Sequence, residues 1–548
     1  MRQISYVPKG LLSLALHAHL PFVRHPEHDE FLEEDWLYEA ITEVYLPLLG
    51  ALTRLRDAGA RPRLSMSISP TLCEMLSDPL LRFRYARHLD NLRSLARKEA
   101  ERTATQAPHF RPAARQYDER LREAARLWDE VYSRDLVRAF ADLQTAGVVE
   151  INTCAATHGF LPLVSTTEAR RAQIQVAVAN YRKHFGRRPR GIWLPECAYA
   201  EGVETLLAEV GLEYFFADAH ALLYGEPRPR FGVHAPARLP NGVAVFARDV
   251  ETGEQVWSAR GGYPGDPFYR EFYRDIGWDA PLDHVRPHLH ADGRRRALGL
   301  KYHRVTGRDV PLSDKRHYEP HVAAERAREH ARHFVASRVE QVARLREAFG
   351  NSLTPLVVSP YDAELFGHWW YEGVDFLEHV FRHLDARRAE IAPASPGDYL
   401  DSAPQLQTVR LSQSSWGEGG YNKVWLSEQN AWLYPRQHAC EARMTALADR
   451  FAPVAARDSQ DDELTVRALK QAARELLLAQ SSDWAFQIYQ GTTATYAASR
   501  FNAHVERFHR LAASIERGAV ERDFLEETEG RDNLFPEINF RVFCSRLG

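Results

Sequence analysis

The feature that most constrains the fold is a series of short apolar runs, each followed by polar residues and separated by helical stretches. Six runs lead into polar positions: 11–16 into His17-Ala18-His19, 63–68 into Ser69-Pro70, 148–153 into Thr157-His158, 191–194 into Glu196, 213–216 into Asp218 and His220, and 355–358 into Asp362. Residues 37–58 and 167–185 have the 3.6-residue apolar period of helices. Strands that alternate with helices form parallel sheets or barrels, whose functional residues lie at the carboxyl ends of the strands. The sequence therefore predicts an α/β fold with its site at that edge.

The length of the chain and the uneven spacing of these runs predict more than one domain. At 548 residues, the chain is longer than one hydrophobic core usually serves. Residues 76–146 are rich in Arg and Glu with helical periodicity, and are too long for one crossover. Residues 224–320 are rich in Gly, Pro, Tyr and Arg, and we expect long excursions over the mouth of the sheet.

The pattern becomes helical after about residue 400, with apolar faces at 428–451, 461–480 and 492–517. We therefore expect three parts. They are a discontinuous catalytic domain (1–75 and 147–400), an inserted helical subdomain (76–146) and a C-terminal helical domain that contributes to the substrate cleft (401–548).

Composition excludes several classes of partner and cofactor. A net charge of −4 argues against nucleic acid, whose binding proteins usually carry a basic excess. No apolar run approaches the ~20 residues of a membrane span. Five cysteines without a CxxC pair indicate neither a disulfide framework nor a zinc knuckle. The run from Gly10 to Leu20 contains two histidines and no small-residue cleavage site, so we interpret it as a strand and expect a cytosolic protein.

Two carboxylates set among aromatic rings at strand ends indicate glycoside chemistry. The stretches are Gly191-Ile192-Trp193-Leu194-Pro195-Glu196-Cys197-Ala198-Tyr199 and Ser359-Pro360-Tyr361-Asp362-Ala363-Glu364-Leu365-Phe366-Gly367-His368-Trp369-Trp370. One carboxylate can attack an anomeric carbon, the other can protonate the leaving oxygen, and the rings can stack on sugars. Structural alternatives are a helix N-terminal position for Glu196 and an N-cap role for Asp362. Glu364 is a rival for the acid.

His17 and His19 point to the same side of an extended strand, because side chains alternate. The pair can hydrogen-bond sugar hydroxyls or bind a metal. With His158 and Asp362, it also suits a metal-dependent amidohydrolase. Two observations argue against that alternative: the sequence has no obvious bridging lysine, and it supplies a second carboxylate. A purely structural role is the alternative for His158.

Several tryptophans are candidates for stacking on a sugar chain. Trp257 lies in the irregular central region, while Trp416 and Trp425 lie in a glycine-bearing loop before the C-terminal helices. Glycine beside an indole allows a chain to approach the ring face closely. Packing in the core is the alternative for each, and also for the pair Trp369-Trp370.

These residues fall in a pattern that resembles glycoside hydrolase family 57, most closely its 1,4-α-glucan branching enzymes, from about residue 11 to the end. The motifs are Leu16-His17-Ala18-His19-Leu20-Pro21, Thr157-His158-Gly159-Phe160, Trp193-Leu194-Pro195-Glu196, Ser359 to Trp369, Ser415-Trp416-Gly417, Gln255-Val256-Trp257-Ser258 and Gly262-Tyr263-Pro264-Gly265. The resemblance implies an incomplete (β/α)7 barrel with an inserted helical subdomain and a C-terminal helical domain. It also implies that Glu196 is the nucleophile and Asp362 the general acid/base.

The resemblance further implies which residues bind the substrate, without a metal or cofactor. The implied set comprises His17, His19, His158, Phe231, Arg248, Trp257, Trp369, Trp416, Trp425 and Asp483. One position departs from the family pattern, because Phe231 stands where related branching enzymes carry a loop tyrosine that covers the catalytic centre and is tied to transfer. The segment after Glu196 is also shorter than in some relatives.

The expected function is a retaining 1,4-α-glucan branching enzyme that acts on amylose or glycogen-like chains. An α-amylase or 4-α-glucanotransferase of the same family is the nearest alternative. More remote alternatives are the metal-dependent hydrolase and a catalytically silent glucan-binding protein. The expected partner is an α-glucan, with neither nucleic acid nor membrane, and the sequence leaves the choice between monomer and dimer open.

Overall fold

The core of the structure is one twisted sheet of nine strands. The computed structural model describes residues 7–258, 261–350, 352–402, 405–453 and 460–545. The strands are β1 (Gly10–Ala18), β2 (Leu64–Ile68), β3 (Val149–Cys154), β4 (Gly191–Trp193), β5 (Tyr214–Ala217), β6 (Ala237–Arg238), β7 (Ala244–Ala247), β8 (Leu356–Asp362) and β9 (Ile391–Pro393). They run in the order β6-β7-β5-β4-β3-β2-β1-β8, and β9 pairs with β1.

Every strand pair except the short β6–β7 pair is parallel, which brings the functional ends together. His17 of β1 lies in register with Asp362 of β8 on one side and with Ser67 of β2 on the other. All residues of β2 and β3 are buried, as expected for parallel strands covered on both faces. Seven parallel strands in the order β7-β5-β4-β3-β2-β1-β8 form the incomplete (β/α)7 barrel, so the predicted fold class is confirmed.

Six of the seven barrel strands coincide with the apolar runs in the sequence, whereas β7 lies in a region predicted to be irregular. β7 is only four residues long, Ala-Val-Phe-Ala, and all four are buried. Its two alanines and short length give little periodicity, and its pairing with β5 stabilises it instead. The strand positions Arg248 at its carboxyl end.

Helices cover the sheet and extend beyond it. Those associated with the barrel are Glu34–Ala40, Leu46–Asp57, Pro70–Ser77, Thr167–Phe185, Val203–Glu209, Ala219–Leu223, Val250–Trp257, Ile276–Asp279, Leu282–Val285, Pro320–Phe349, Gly373–Ala386 and Pro396–Ser402. A π-helical turn, Ile41–Tyr45, joins the first two, and such turns often occur at functional sites. The helix predicted at 167–185 has those bounds, and Gly186 caps it in the left-handed conformation.

The predicted helical regions are helical in the structure. The inserted region contains Pro79–Thr105, Arg111–Arg126 and Leu136–Thr145, and the C-terminal region contains Leu433–Phe451, Gln460–Ala479, Ser482–Gln490, Ala494–Glu516 and Arg522–Arg531. One hydrophobic cluster includes Leu16 of the sheet, Leu121 of the inserted region and Leu476 of the C-terminal region. The three parts therefore share one core, and the exact boundaries stay a prediction.

The first C-terminal helix begins five residues later than predicted, at Leu433 rather than at residue 428. The fully buried amide of Asn430 explains the difference. Its Nδ2 donates to the carbonyls of Val424 and Ala485, and its Oδ1 accepts from the Ser427 N–H. These bonds stabilise a turn in place of the first helical turn.

All five cysteines are buried free thiols. Among the described helices, none combines the length and the apolar composition needed to cross a bilayer.

We expect Gly191→Ala to destabilise the barrel. A Cβ at this position would lie 2.3 Å from the ring of Tyr214 and 2.6 Å from Oδ1 of Asn152, and both neighbours are buried. Overpacking of this kind costs about 1–3 kcal/mol, so the midpoint of thermal unfolding should fall. Gly530→Ala is the matched control, because nothing lies within 4 Å of its added Cβ. An unchanged midpoint for Gly191→Ala would contradict the packing described here.

Candidate active site

Three histidines meet at the carboxyl ends of β1 and β3. His17 lies within β1, His19 follows it, and His158 follows β3. The two Nε2 atoms of His17 and His158 are 2.9 Å apart, and the rings of His19 and His158 stack with centroids 3.9 Å apart. His17 also stacks on Trp193 of β4, at 4.8 Å. The structure thus brings together the three histidines that the sequence singles out.

The environment of these rings holds two of them neutral. Burial, reinforced by the neighbouring histidines, lowers the pKa of His17 well below its ordinary value, and burial does the same for His158. Asp483 lies 3.0 Å from Nε2 of His19. Although burial opposes its ionisation, the charge and hydrogen bond of His19 lower the pKa of Asp483 to about 2. Asp483 is therefore a fixed negative charge at the edge of the cluster.

The donor set bears on the alternative of a metal-dependent hydrolase. The potential ligand atoms of His19, His158 and Asp483 lie within 4.8 Å of one another. Each ring nitrogen, however, already has a protein partner. His17 bonds to Ser67 and His158, His19 bonds to Ser69 and Asp483, and the second nitrogen of His158 bonds to Ser482. An ion would displace this network, so the residues do not form an open site for one.

Glu196 lies in a strained turn immediately after β4. Its backbone is left-handed, with φ of 61°, as is that of His158 with φ of 58°. Such conformations are uncommon for residues other than glycine and cluster at functional sites. The N–H of Trp416 donates to the carbonyl of Glu196 over 3.0 Å, which ties the turn to the loop before the C-terminal helices.

Both carboxylate oxygens of Glu196 accept hydrogen bonds from outside the barrel. Nε1 of Trp416 donates to Oε2 over 2.8 Å, and Oγ of Ser482 donates to Oε1 over 3.1 Å. The side chain of Glu196 is only 14% exposed. Burial raises its pKa to about 7, and the Asp483 charge adds to the rise, while the bonds from Trp416 and Ser482 oppose it.

Asp362 is the last residue of β8 and lies in register with His17, on the side of β1 opposite to β2. Burial raises its pKa well above its usual range, and the charges of Glu364 and Glu196 raise it further, while Arg248 opposes them. The charge of Glu196 thus acts on Asp362, so the two carboxyl groups share one electrostatic environment. A pair of this kind can hold one carboxyl ionised and the other protonated.

Glu364, the rival acid in the sequence, is engaged elsewhere. The hydroxyl of Tyr45 donates to Oε1 of Glu364 over 2.5 Å, and burial raises the pKa of Glu364 to about 7. Tyr45 comes from the π-helical turn, which no sequence pattern singled out. The structure therefore gives Glu364 a partner and makes it a neighbour of Asp362.

The rim of the site carries several predicted substrate residues. Trp257 is 45% exposed and stacks on Trp416 at 6.2 Å, whereas Trp369 is 52% exposed and stacks on Phe272 at 4.4 Å. Arg248 lies at the carboxyl end of β7, with Nη1 3.3 Å from Asp218. Two exposed rings and one guanidinium are suited to binding a polyhydroxy chain, and their role in substrate binding stays a prediction.

Two predicted substrate residues pack against other aromatic rings. Trp425 is 1% exposed and stacks on Phe160 at 4.5 Å, so its ring packs in the core and presents no open face. The ring of Phe231 packs on Phe349, 5.1 Å away. The carbonyl of His234, three residues further on, accepts from the N–H of Leu356, at the start of the strand that ends at Asp362. The seven residues of β8 put its first residue, Leu356, roughly 20 Å from its last, Asp362. Phe231 lies near the Leu356 end and therefore does not cover the carboxylates.

Sequence reasoning missed Ser482, Ser67 and Tyr45. Ser482 immediately precedes Asp483 at the start of a helix, and this proximity was an available signal. Ser67 is the β2 residue in register with His17, and only the strand pairing shows it.

Known families match two parts of the chain. The model for glycosyl hydrolase family 57 matches residues 13–352, and the model described as "1,4-alpha-glucan branching enzyme, C-terminal" matches residues 436–543. The family match and the parallel barrel place the chain among the glycoside hydrolases, a class of carbohydrate-active enzymes. The chain belongs to glycosyl hydrolase family 57.

Individual relatives are similar over most of their length. The α-amylase AmyC from Thermotoga maritima is 41% identical, with a TM-score of 0.90 over 98% of this chain and 100% of its own. The 1,4-α-glucan branching enzyme of Thermococcus kodakarensis is 37% identical over 97% of this chain and 78% of its own. The branching enzyme of Pyrococcus horikoshii is 35% identical, with a TM-score of 0.85 over 98% of this chain and 97% of its own.

We expect the protein to need no metal. Since the histidine nitrogens bond to protein groups, dialysis against EDTA should leave the midpoint of thermal unfolding unchanged, and purified protein should hold less than one equivalent of transition metal. Elemental analysis and calorimetry before and after dialysis check this. Adding Zn²⁺ to the dialysed protein is the control. One ion per chain whose removal lowers the midpoint would contradict the expectation.

Proposed function

We propose that the protein is a retaining 1,4-α-glucan branching enzyme. The observation that supports this most strongly is the unequal environment of Glu196 and Asp362. Glu196 accepts two hydrogen bonds that favour its charged form, whereas Asp362 accepts no comparable bond from the described residues and lies beside two other carboxyl groups. This asymmetry suits a nucleophile and a general acid. The match of residues 436–543 to the C-terminal part of branching enzymes favours transfer as the outcome.

The reaction begins with cleavage of an α-1,4 link. Glu196 attacks the anomeric carbon while Asp362 gives its proton to the departing oxygen, which leaves a glycosyl ester on Glu196. Asp362, now a carboxylate, takes the proton of the 6-hydroxyl of a second glucan, whose oxygen attacks the anomeric carbon and releases Glu196. Two inversions retain the configuration, and a retaining pair needs carboxyl groups about 5–5.5 Å apart.

The balance between transfer and hydrolysis depends on whether a glucan or water reaches the ester. Trp257 and Trp369 offer exposed faces for stacking an acceptor chain, and an acceptor held there excludes water. The position of Phe231 leaves any covering role to other groups, because its ring packs on Phe349.

The second candidate function is an α-amylase. Its support is the 41% identity and full-length match to the Thermotoga maritima α-amylase. A 4-α-glucanotransferase has weaker support, because the solved structure with that name is 15% identical and supports the fold alone.

We also propose the setting of the reaction. Amylose or glycogen-like chains are the proposed substrates, without any cofactor, and glycogen biosynthesis is the proposed process. Five free, buried thiols are consistent with a reducing compartment, so the cytoplasm is the proposed location.

Incubation with amylose should produce new α-1,6 links, counted after debranching, in excess of new reducing ends. Glu196→Gln and Asp362→Asn should each lose at least about a hundredfold in rate, because each removes one of the two required groups. Glu130→Gln and Asp118→Asn in the inserted region are the matched controls.

Each alternative predicts a different product pattern. Reducing ends without α-1,6 links would identify an amylase. If Glu196→Gln still acts on amylose like the wild type, catalysis by this carboxylate is ruled out.

The pH dependence of kcat/KM should be bell-shaped. Activity should fall below about pH 7 as Glu196 is protonated, and fall again at higher pH as Asp362 loses its proton. The Glu364 charge raises the pKa of Asp362, so Glu364→Gln should move the basic limb to lower pH. Initial rates across pH for this variant and for Glu130→Gln check the sign. A basic limb that moves upward or stays in place would exclude this influence of Glu364.

A further inference from the structure

A buried chain of hydrogen bonds connects Glu196 to β2. Oγ of Ser482 lies 3.1 Å from Oε1 of Glu196 and 2.7 Å from Nδ1 of His158. Nε2 of His158 lies 2.9 Å from Nε2 of His17, and Nδ1 of His17 lies 3.2 Å from Oγ of Ser67. All members except Glu196 are at most 3% exposed. In this series of hydrogen bonds, Ser482 joins the histidines to the carboxylate of Glu196.

The number of protons fixes the direction of this chain. A carboxylate only accepts hydrogen bonds, so the single hydroxyl proton of Ser482 points at Glu196 when Glu196 is ionised. Nδ1 of His158 must then carry a proton and donate to Ser482. Since His158 and His17 are neutral, Nε2 of His158 is bare and accepts from Nε2 of His17. Nδ1 of His17 then accepts from Ser67, whose single hydroxyl proton turns away from its other acceptor, the carbonyl of Thr153 at 3.2 Å.

We propose that Ser482 is a positioning residue for Glu196, which fixes Oε1 of the carboxylate and selects the tautomers of His158 and His17. The inference rests on the proposed role of Glu196 as nucleophile and extends it to a residue that no sequence motif identified. Ser482 comes from the first position of the helix Ser482–Gln490, so the C-terminal region completes the nucleophile.

Other groups around Glu196 do not replace Ser482. Trp416 holds the other oxygen, Oε2. Nδ1 of His158 lies 3.8 Å from Oε1, beyond hydrogen-bond distance. Asp483, His19, Asp362 and the buried thiols of Cys154 and Cys197 also lie in electrostatic range. Within this set, the Ser482 hydroxyl is the donor to Oε1.

The backbone of Ser482 has a separate structural role. Its N–H donates to the carbonyl of His158 over 3.0 Å, and this bond survives any substitution of the side chain other than proline. Ser482→Ala therefore removes the hydroxyl and little else, which separates positioning from folding.

The test compares Ser482→Ala, Ser482→Thr and the wild type in full-length protein, with steady-state kinetics on amylose across pH. Loss of a hydrogen bond to a charged group should lower kcat of Ser482→Ala by roughly ten- to a hundredfold. KM should change much less, because Ser482 acts on the nucleophile. The acid limb of kcat/KM should move to higher pH, since the bond stabilises the ionised form of Glu196. Ser482→Thr restores the hydroxyl and should recover most of kcat.

Ser514→Ala is the matched control, because Ser514 is a buried serine of the same helical region whose Oγ donates to a backbone carbonyl of its own helix. It should leave kcat and both limbs unchanged. A Ser482→Ala profile that superimposes on the wild type, or an equal loss in Ser514→Ala, would overturn the inference. A wild type without any action on amylose would instead overturn the proposed function.

Discussion

The site depends on a carboxylate that is held in a strained turn by groups from a distant part of the chain. The sheet delivers Glu196 to the right edge, but its left-handed backbone and buried side chain are unfavourable taken alone. The bonds from Trp416 and Ser482 offset these costs, and they connect the barrel to the C-terminal helices. Chemistry and packing are therefore coupled, because the groups that stabilise the turn also favour ionisation of its carboxylate.

Parallel pairing explains why a single edge of the sheet collects most of the site. His17 lies in register with both Asp362 and Ser67, so three strands position an imidazole, a carboxyl group and a hydroxyl at one level. The strands are buried on both faces, and their polar ends are therefore partly desolvated. Desolvation is the first cause of the raised pKa values of both Glu196 and Asp362.

Much of this arrangement could be predicted from the sequence, because the barrel strands are apolar runs that end in chemically distinctive residues. The strand β7 escaped prediction because two of its four residues are alanine, which gives no alternating pattern. Ser482, Ser67 and Tyr45 escaped because a hydroxyl has no local sequence signature and acquires its role only through tertiary contacts. Trp425 and Phe231 show the converse, since a ring in a suggestive motif can pack against another ring, as these two do on Phe160 and Phe349. The network around Glu196 was therefore the least predictable part of the site.

The bond between His19 and Asp483 joins residues 464 positions apart in the sequence. When the last strand of the sheet, β9, leaves the ribosome, Ser482 and Asp483 have not yet emerged. These are the residues that bond to Glu196 and His19. The nascent barrel therefore passes through a long interval with its acidic residues unsupported, and contacts of such high separation form late and slowly. Such an enzyme acquires its competence only after residue 483 has been made.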